Sequence, residues 1–186
     1  MKYKTILIDP PWNQKHMAKW DRRKHGNHKK DLPYPTMSLE EIKALDIISL
    51  ADTNCHLWTW TTNQFLPYTF EIIRHWGFKY LSTITWVKPS GVGAWFVNRT
   101  QHLIFAYKDK LDMKERFLPT VYETSIPKHH SSKPTIFYNV IDKVSYSPKV
   151  EIFAREKIFG WDAWGNEVNS DFNFGTDAKI NTGITE

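Results

Sequence analysis

The sequence predicts an α/β domain in which a mostly parallel sheet carries helices on both faces. Three observations support this. Apolar runs of strand length alternate with stretches whose apolar residues recur at helical spacing, the signature of strands joined by crossovers. The first run, Thr5-Ile6-Leu7-Ile8, lacks the in-and-out alternation of a half-exposed strand and so reads as buried on both faces. No Gly-x-Gly-x-x-Gly follows it, and Gly91-Val92-Gly93 is too isolated to stand in. Late in the chain, however, the run Glu151 to Ala154 ends in Arg155, and a further strand end supplies Glu167, a carboxylate placed as nucleotide-binding sheets place one for ribose hydroxyls. The two halves are therefore read as permuted, with the substrate half first and the cofactor half last.

The elements follow in order. An acid and two prolines cannot continue a strand, so the chain turns at Asp9-Pro10-Pro11-Trp12, at the strand's carboxyl end. Ser38 and Glu41 form a capping box, and Leu39, Ile42, Leu45 and Ile48 recur at helical spacing, predicting a helix that ends near Ala51. Residues 54–60 read as a strand. From Leu66 to Trp76 a helix tolerates Pro67 in its first turn and stops at Gly77. Residues 78–88 return as a strand, Pro89 to Gly93 read as a flexible loop, and His102 to Tyr107 form another strand. Residues 108–134 are polar and irregular. Lys133-Pro134 then opens a helix with Ile136, Phe137, Val140, Ile141 and Val144 on one face, residues 150–154 form a buried strand, and a short strand leads to Asn166-Glu167. From Val168 the tail shows no period and is expected to be unstructured, giving one domain over residues 1–167 and a polar tail over 168–186.

Composition limits the function classes. A chain of 186 residues with 41% apolar content suits one domain with a full core. No apolar stretch approaches a membrane span and no signal peptide is read, so a cytoplasmic protein is expected, nucleoid-associated if prokaryotic or viral. A single cysteine, Cys55, excludes an internal disulfide and reads as a small buried hydrophobe. His16, His25, His28, His129 and His130 lack the spacing of a zinc set, so no metal is expected. Trp58, Trp60, Trp76 and Trp86 read as core.

The net charge of +5 is unevenly distributed. Residues 15–30 hold seven basic side chains and one acid, leaving the rest of the chain at −1. A basic loop over residues 15–33, directly after the tetrapeptide, is where a polyanion crossing the site's mouth would be neutralised. Arg22, Arg23 and Lys24 are its candidate contacts to nucleic acid.

Each member of the tetrapeptide suits one task. Asp9 and the Pro10 carbonyl can accept hydrogen bonds from an exocyclic amino group, Pro10 and Pro11 hold those acceptors rigidly, and Trp12 offers a flat face for a base. An aromatic amine has its lone pair delocalised into the ring. Binding both amino hydrogens draws that pair outward, and the transfer then needs alignment more than an acid or a metal.

The tetrapeptide resembles the signature of amino-group methyltransferases, and further landmarks narrow the likeness to the MT-A70 family of adenine-N6 methyltransferases. In the family's order come Tyr34-Pro35-Thr36-Met37, Ser38-Leu39-Glu40-Glu41-Ile42, Leu57-Trp58-Thr59-Trp60-Thr61-Thr62, Trp76-Gly77-Phe78, Trp86-Val87-Lys88, Ser132-Lys133-Pro134, Glu151-Ile152-Phe153-Ala154-Arg155 and Trp164-Gly165-Asn166-Glu167. The resemblance implies a Rossmann-like methyltransferase domain using S-adenosylmethionine. It implies Asn166 and Glu167 at the ribose, Phe153 and Arg155 around the adenosine and Lys133 at the methionine carboxylate, with Asp9 beside the cofactor as well as the base. Residues 108–134 become a second active-site loop, and Tyr34 flanks the target base with Trp12. In duplex DNA that base must be flipped out. DNA is the expected substrate. RNA, or a non-catalytic partner subunit that binds nucleic acid, is the alternative, and a homodimer or a methyltransferase-like partner is compatible with either. One departure stands out: around Trp95 and His102 the family carries Glu-His, whereas here Gln101 replaces the acid, and an amide can both donate and accept.

Overall fold

The structure is a computed structural model that describes residues 1–13, 35–93, 95–127 and 132–174. Seven strands form one sheet: β1 Tyr3–Ile8, β2 Ala51–Thr61, β3 Lys79–Val92, β4 Asn98–Lys108, β5 Val121–Glu123, β6 Lys149–Ile152 and β7 Asp162–Trp164. Their spatial order is β5-β3-β4-β2-β1-β6-β7. β1 pairs in parallel with both β2 and β6, β6 with β7, and β3 with β5, while β4 runs antiparallel between β2 and β3. The sheet is thus mixed but mostly parallel, as a Rossmann-like fold requires.

Burial of β1 on both faces is met on opposite sides by different helices. Ile6 and Ile8 pack with Ile42, Ile47, Ile72 and Ile73 from α1 (Leu39–Lys43), α2 (Ile47–Leu50) and α3 (Leu66–His75). Leu7 packs with Trp58, Trp60, Phe137, Val140 and Ile141, the last three from α4 (Ile136–Val144). The four expected tryptophans are buried, and Cys55 is a buried free thiol.

Four elements differ from expectation. Within residues 108–134, read as irregular, Val121–Glu123 forms β5, extended by its parallel pairing with β3. The single helix predicted to Ala51 is two short ones, because the Asp46 carboxylate accepts the Ser49 N–H at 3.1 Å and starts a new helix, and Ala51 already opens β2. The predicted loop at Pro89 to Gly93 is instead largely strand: β3 continues to Val92, which pairs with Asn98 after a register shift. Residues 168–174 are not loose. Asp171 exchanges hydrogen bonds with Ala163 on β7, and Phe174 is buried with its ring edge on Trp164. Gly77 follows α3 at φ +78, the left-handed stop its position predicts.

Candidate active site

β1 ends at Ile8, and the Asp9 N–H still donates to the Ile152 carbonyl of β6 at 3.4 Å before two residues without N–H groups end the ladder. The chain then folds tightly. The Trp12 N–H donates to the Pro10 carbonyl at 2.8 Å, and the Pro11 carbonyl accepts the Met37 N–H at 2.9 Å, which ties the tetrapeptide to the segment before α1.

The Asp9 carboxylate is ion-paired with the Lys133 ammonium, which also lies 5.3 Å from the Trp60 ring centroid. Lys133 is 12% exposed, so the pair is partly desolvated and stronger than a surface bridge. A cation just before a helix opposes the macrodipole, and Asp9 supplies the carboxylate that relieves it.

Trp12 sits where the sequence placed it but is 6% exposed. One indole face is stacked on Phe65, with centroids 5.1 Å apart and planes at 14°, and its ring N–H donates to the Trp60 carbonyl at 3.1 Å. That face is therefore closed to a base. Phe65 was not read as a site residue, and its position just ahead of α3 carries no local signal for one. A cleft with about 170 Å³ of open space lies here, lined by Asp9, Trp12, Trp60, Thr62, Gln101 and Lys133.

The expected cofactor residues leave the sheet at the same edge. β1, β6 and β7 are parallel neighbours, so Asp9, Phe153 and Gly165 emerge side by side at the carboxyl ends, where strand order reverses about β1 and open α/β sheets bind ligands. Phe153 has φ +66, strained for a bulky residue, and its ring meets Trp164 edge-on at 5.5 Å. Arg155 Nη1 and Glu167 Oε1 pair at 3.2 Å, and Asn166 is exposed beside them. At Gly165 a Cβ would fall 2.2 Å from the Ala154 carbonyl oxygen, so only glycine allows β7 to close on the turn after β6.

Behind Asp9 lies a pair that sequence reasoning did not single out. The buried Tyr138 hydroxyl lies 3.0 Å from both carboxylate oxygens of Glu151, which is 8% exposed on β6. Burial, reinforced by the charge of Asp9, pushes the Glu151 carboxyl up to about 7 against the opposing effects of Tyr138 and Lys133. Burial and the Glu151 charge push the Tyr138 hydroxyl up as well. Glu151 stood only as a landmark, and its partner, on α4, is remote from that motif in sequence. Tyr34, Arg22, Arg23, Lys24 and the five loop histidines lie outside the described residues. Among the described residues no helix is long and apolar enough to cross a membrane, and no cluster of His, Cys, Asp and Glu is placed to hold a metal.

Comparison with known proteins matches the family model MT-A70 to residues 3–167. The type II methyltransferase M.MunI of a Mycoplasma species is 29% identical, with 90% of this chain and 78% of that protein aligned. Mouse N(6)-adenine-specific methyltransferase METTL4 is 27% identical over 89% of this chain and 37% of its own length. The human N(6)-adenosine-methyltransferase catalytic subunit METTL3 is 24% identical over 90% and 28%. The chain thus spans most of the bacterial relative but only about a quarter to two fifths of these animal ones. The matched span opens at the first residue of β1 and closes at Glu167, taking in every strand and both groups of site residues: this chain belongs to the MT-A70 family.

Proposed function

We propose that this chain transfers a methyl group from S-adenosylmethionine to the N6 amino group of an adenine in DNA. The observation that carries the reading is Asp9, held by Lys133 at the tip of the central strand and flanked by the strand ends that present Phe153, Arg155 and Glu167. The donor set fits the cofactor's chemistry: a buried-stem cation for a carboxylate, an aromatic ring for an adenine, and an amide and a carboxylate for a ribose diol. When bound, S-adenosylmethionine supplies an electrophilic methyl group on its sulfonium.

The chain's own residues prepare the nucleophile. Asp9 gives one oxygen to Lys133 and keeps the other as an acceptor for an amino hydrogen. The Pro10 carbonyl already accepts the Trp12 N–H and has a second lone pair to offer. Lys133 and the prolines fix these acceptors in place, so catalysis rests on alignment and preset charge.

DNA is favoured by two observations. The relative that this chain spans at 78% is named a type II methyltransferase, whereas those named for adenosine, the ribonucleoside, are far longer than the span they share. A concentrated basic segment, residues 15–30, also follows the tetrapeptide closely in sequence. RNA is the second reading, favoured by those adenosine names. Incubation with labelled cofactor and unmethylated DNA or RNA, followed by nucleoside analysis, tests both. N6-methyladenine in DNA is expected, its appearance in RNA alone would move the substrate, and its absence from both would defeat the reading. Neutralising Arg22, Arg23 and Lys24 together should weaken binding across all sequences and flatten its salt dependence.

A further inference from the structure

The β3–β4 hairpin ends in an apolar tip that the fold leaves in solvent. Val92, Trp95, Phe96 and Val97 are 83%, 73%, 83% and 63% exposed, and no other stretch of the described residues sets so many large apolar side chains in the open so close together in sequence. Single exposed apolar residues are ordinary, but a contiguous group marks a surface that another molecule covers.

The tip is built rather than loose. A Cβ at Gly91 would fall 2.3 Å from the Asn98 carbonyl oxygen and one at Gly93 1.9 Å from that of Phe96, so only glycine lets the hairpin close this tightly. The Asn98 side-chain amide donates to the Phe96 carbonyl at 3.3 Å, the Arg99 Nε–H to the Lys88 carbonyl at 2.8 Å, and the Asn63 amide to Thr100 Oγ1 at 2.9 Å. Asn63 directly follows Thr61 and Thr62, which line the cleft with Asp9 and Lys133, so the hairpin is tied to the rim of the site.

β4 supplies the reach. Its pairing with β2 ends at His102 and Thr61, and the four residues ahead of His102 continue beside β3 alone. At about 3.3 Å per residue the tip therefore stands roughly 13 Å beyond the end of β2. It rises on the β2 side of Asp9, away from β6, β7 and the expected cofactor residues. From Val87 to His102 the chain carries two cations, Lys88 and Arg99, and no acid, although Glu123 of β5 reaches Arg99 at 3.5 Å. A narrow apolar blade with cations at its base suits a stack of bases edged by phosphates better than the mixed surface of a protein.

We infer that this tip is a wedge that enters duplex DNA beside the target adenine, with Trp95 and Phe96 stacking on the bases laid bare when that adenine leaves the helix. The inference rests on the proposed activity on DNA. An amino group paired inside a duplex cannot reach Asp9, so the adenine must swing out and leave a gap one base thick. An aromatic ring fills such a gap and offers its faces to the neighbouring bases, which offsets the lost stacking whatever the surrounding sequence. The wedge serves extrusion alone, so it adds nothing once the adenine is already unpaired.

The test compares the full chain with the double variant Trp95→Ser/Phe96→Ser on three oligonucleotides built around an adenine found methylated in genomic DNA. These are a fully paired duplex, the same duplex with an abasic site opposite the adenine, and the single strand. On the paired duplex the variant should lose about 10- to 100-fold in kcat/KM for labelled-methyl transfer, the worth of stacking on a base, and on the other two it should match the wild type. Phe96→Leu, which keeps an apolar side chain but removes the ring, should show the same selective loss to a smaller degree and serves should the double variant fail to fold. An equal loss on all three substrates by a folded variant, or no loss on the paired duplex, overturns the wedge, as does a wild type that methylates only the single strand. Conversion of a dimer to a monomer by the same substitutions, read by light scattering, would assign the tip to a second copy of the chain and overturn it too. A wild type that methylates adenine in no DNA at all would overturn the proposed activity, and the wedge would fall with it.

Discussion

Two polar clusters are buried at opposite ends of the same sheet, and they are built to opposite rules. At the amino edge, Ser145 Oγ accepts the Trp58 indole N–H at 3.0 Å and meets His56 Nδ1 at 2.8 Å, while the Thr5 hydroxyl donates to the Tyr146 carbonyl at 2.7 Å. Burial lowers His56 to about 4, so it is neutral at pH 7. At the carboxyl edge stand an ion pair, a carboxyl raised to about 7 and two acceptors, Gln101 Oε1 and Thr59 Oγ1, without partners among the described residues. The amino edge also has the roomier cavity, about 430 Å³ lined by Lys4, Asn54, His56, Lys110, Asp112 and Tyr146. The proposed chemistry rests on the carboxyl edge, where an ion pair, a raised carboxyl and two oxygens without partners among the described residues gather beside the tetrapeptide.

The sharpest way to break this contrast is Asp9→Ala. Turnover should fall by about 100- to 1,000-fold, the usual consequence of deleting one preorganised electrostatic group, while S-adenosylhomocysteine still binds by calorimetry. Undiminished labelled-methyl transfer would remove the carboxyl edge from the chemistry.

Next comes Glu151→Gln. The folded carboxyl is raised from its ordinary 4.5 to about 7, so the stability it contributes is complete below pH 4.5 and is lost as pH rises through 7. That loss amounts to about 3 kcal/mol. Urea denaturation at pH 5 and pH 8 should show the variant gaining on the wild type at the higher pH. His56, whose lowered value gives the reverse slope, is common to both proteins and cancels. Parallel stability profiles would mean Glu151 is not held neutral.

Ser145→Ala probes the satisfied edge. It strands His56 and Trp58 and should cost about 2 kcal/mol, or roughly 4–8 °C in Tm, with kcat unchanged. A loss of activity without a loss of stability would reverse the assignment of the two ends. Smallest is Glu167→Gln. The Arg155–Glu167 bridge is half exposed on the acid's side, so stability should move by less than about 0.5 kcal/mol, whereas affinity for S-adenosylhomocysteine should drop about tenfold. Equal affinity would return the pair to a surface salt bridge.

Much of this is legible in the sequence. Strand β1, its turn at Asp9, helix α3 with its stop at Gly77, the buried face of α4 and the last two strands all follow from periodicity and from residues that cannot continue an element. The capping box at Ser38 and Glu41 formed as read, yet the helix behind it broke at Asp46, because aspartate competes as a cap as readily as it tolerates a helix interior. The extension of β3 through Pro89 to Val92 was hidden for the opposite reason: proline and glycine signal a turn, and only pairing with Asn98 across the hairpin holds them extended. The same holds for Phe172 and Phe174, read as tail because their packing partners, Tyr3 and Trp164, are invisible to a local window.

Sequence by itself determined the family, the α/β order and the identity of Asp9, Lys133 and Glu167, since each depends on a residue type at a fixed place along the chain. Only the tertiary structure decided that Asp9 meets Lys133 from 124 positions away, that one face of Trp12 is already covered by Phe65, and that Glu151 is buried against Tyr138. The physical reason is that chemical capacity belongs to a side chain, whereas its charge state and its free faces belong to whatever the fold packs against it.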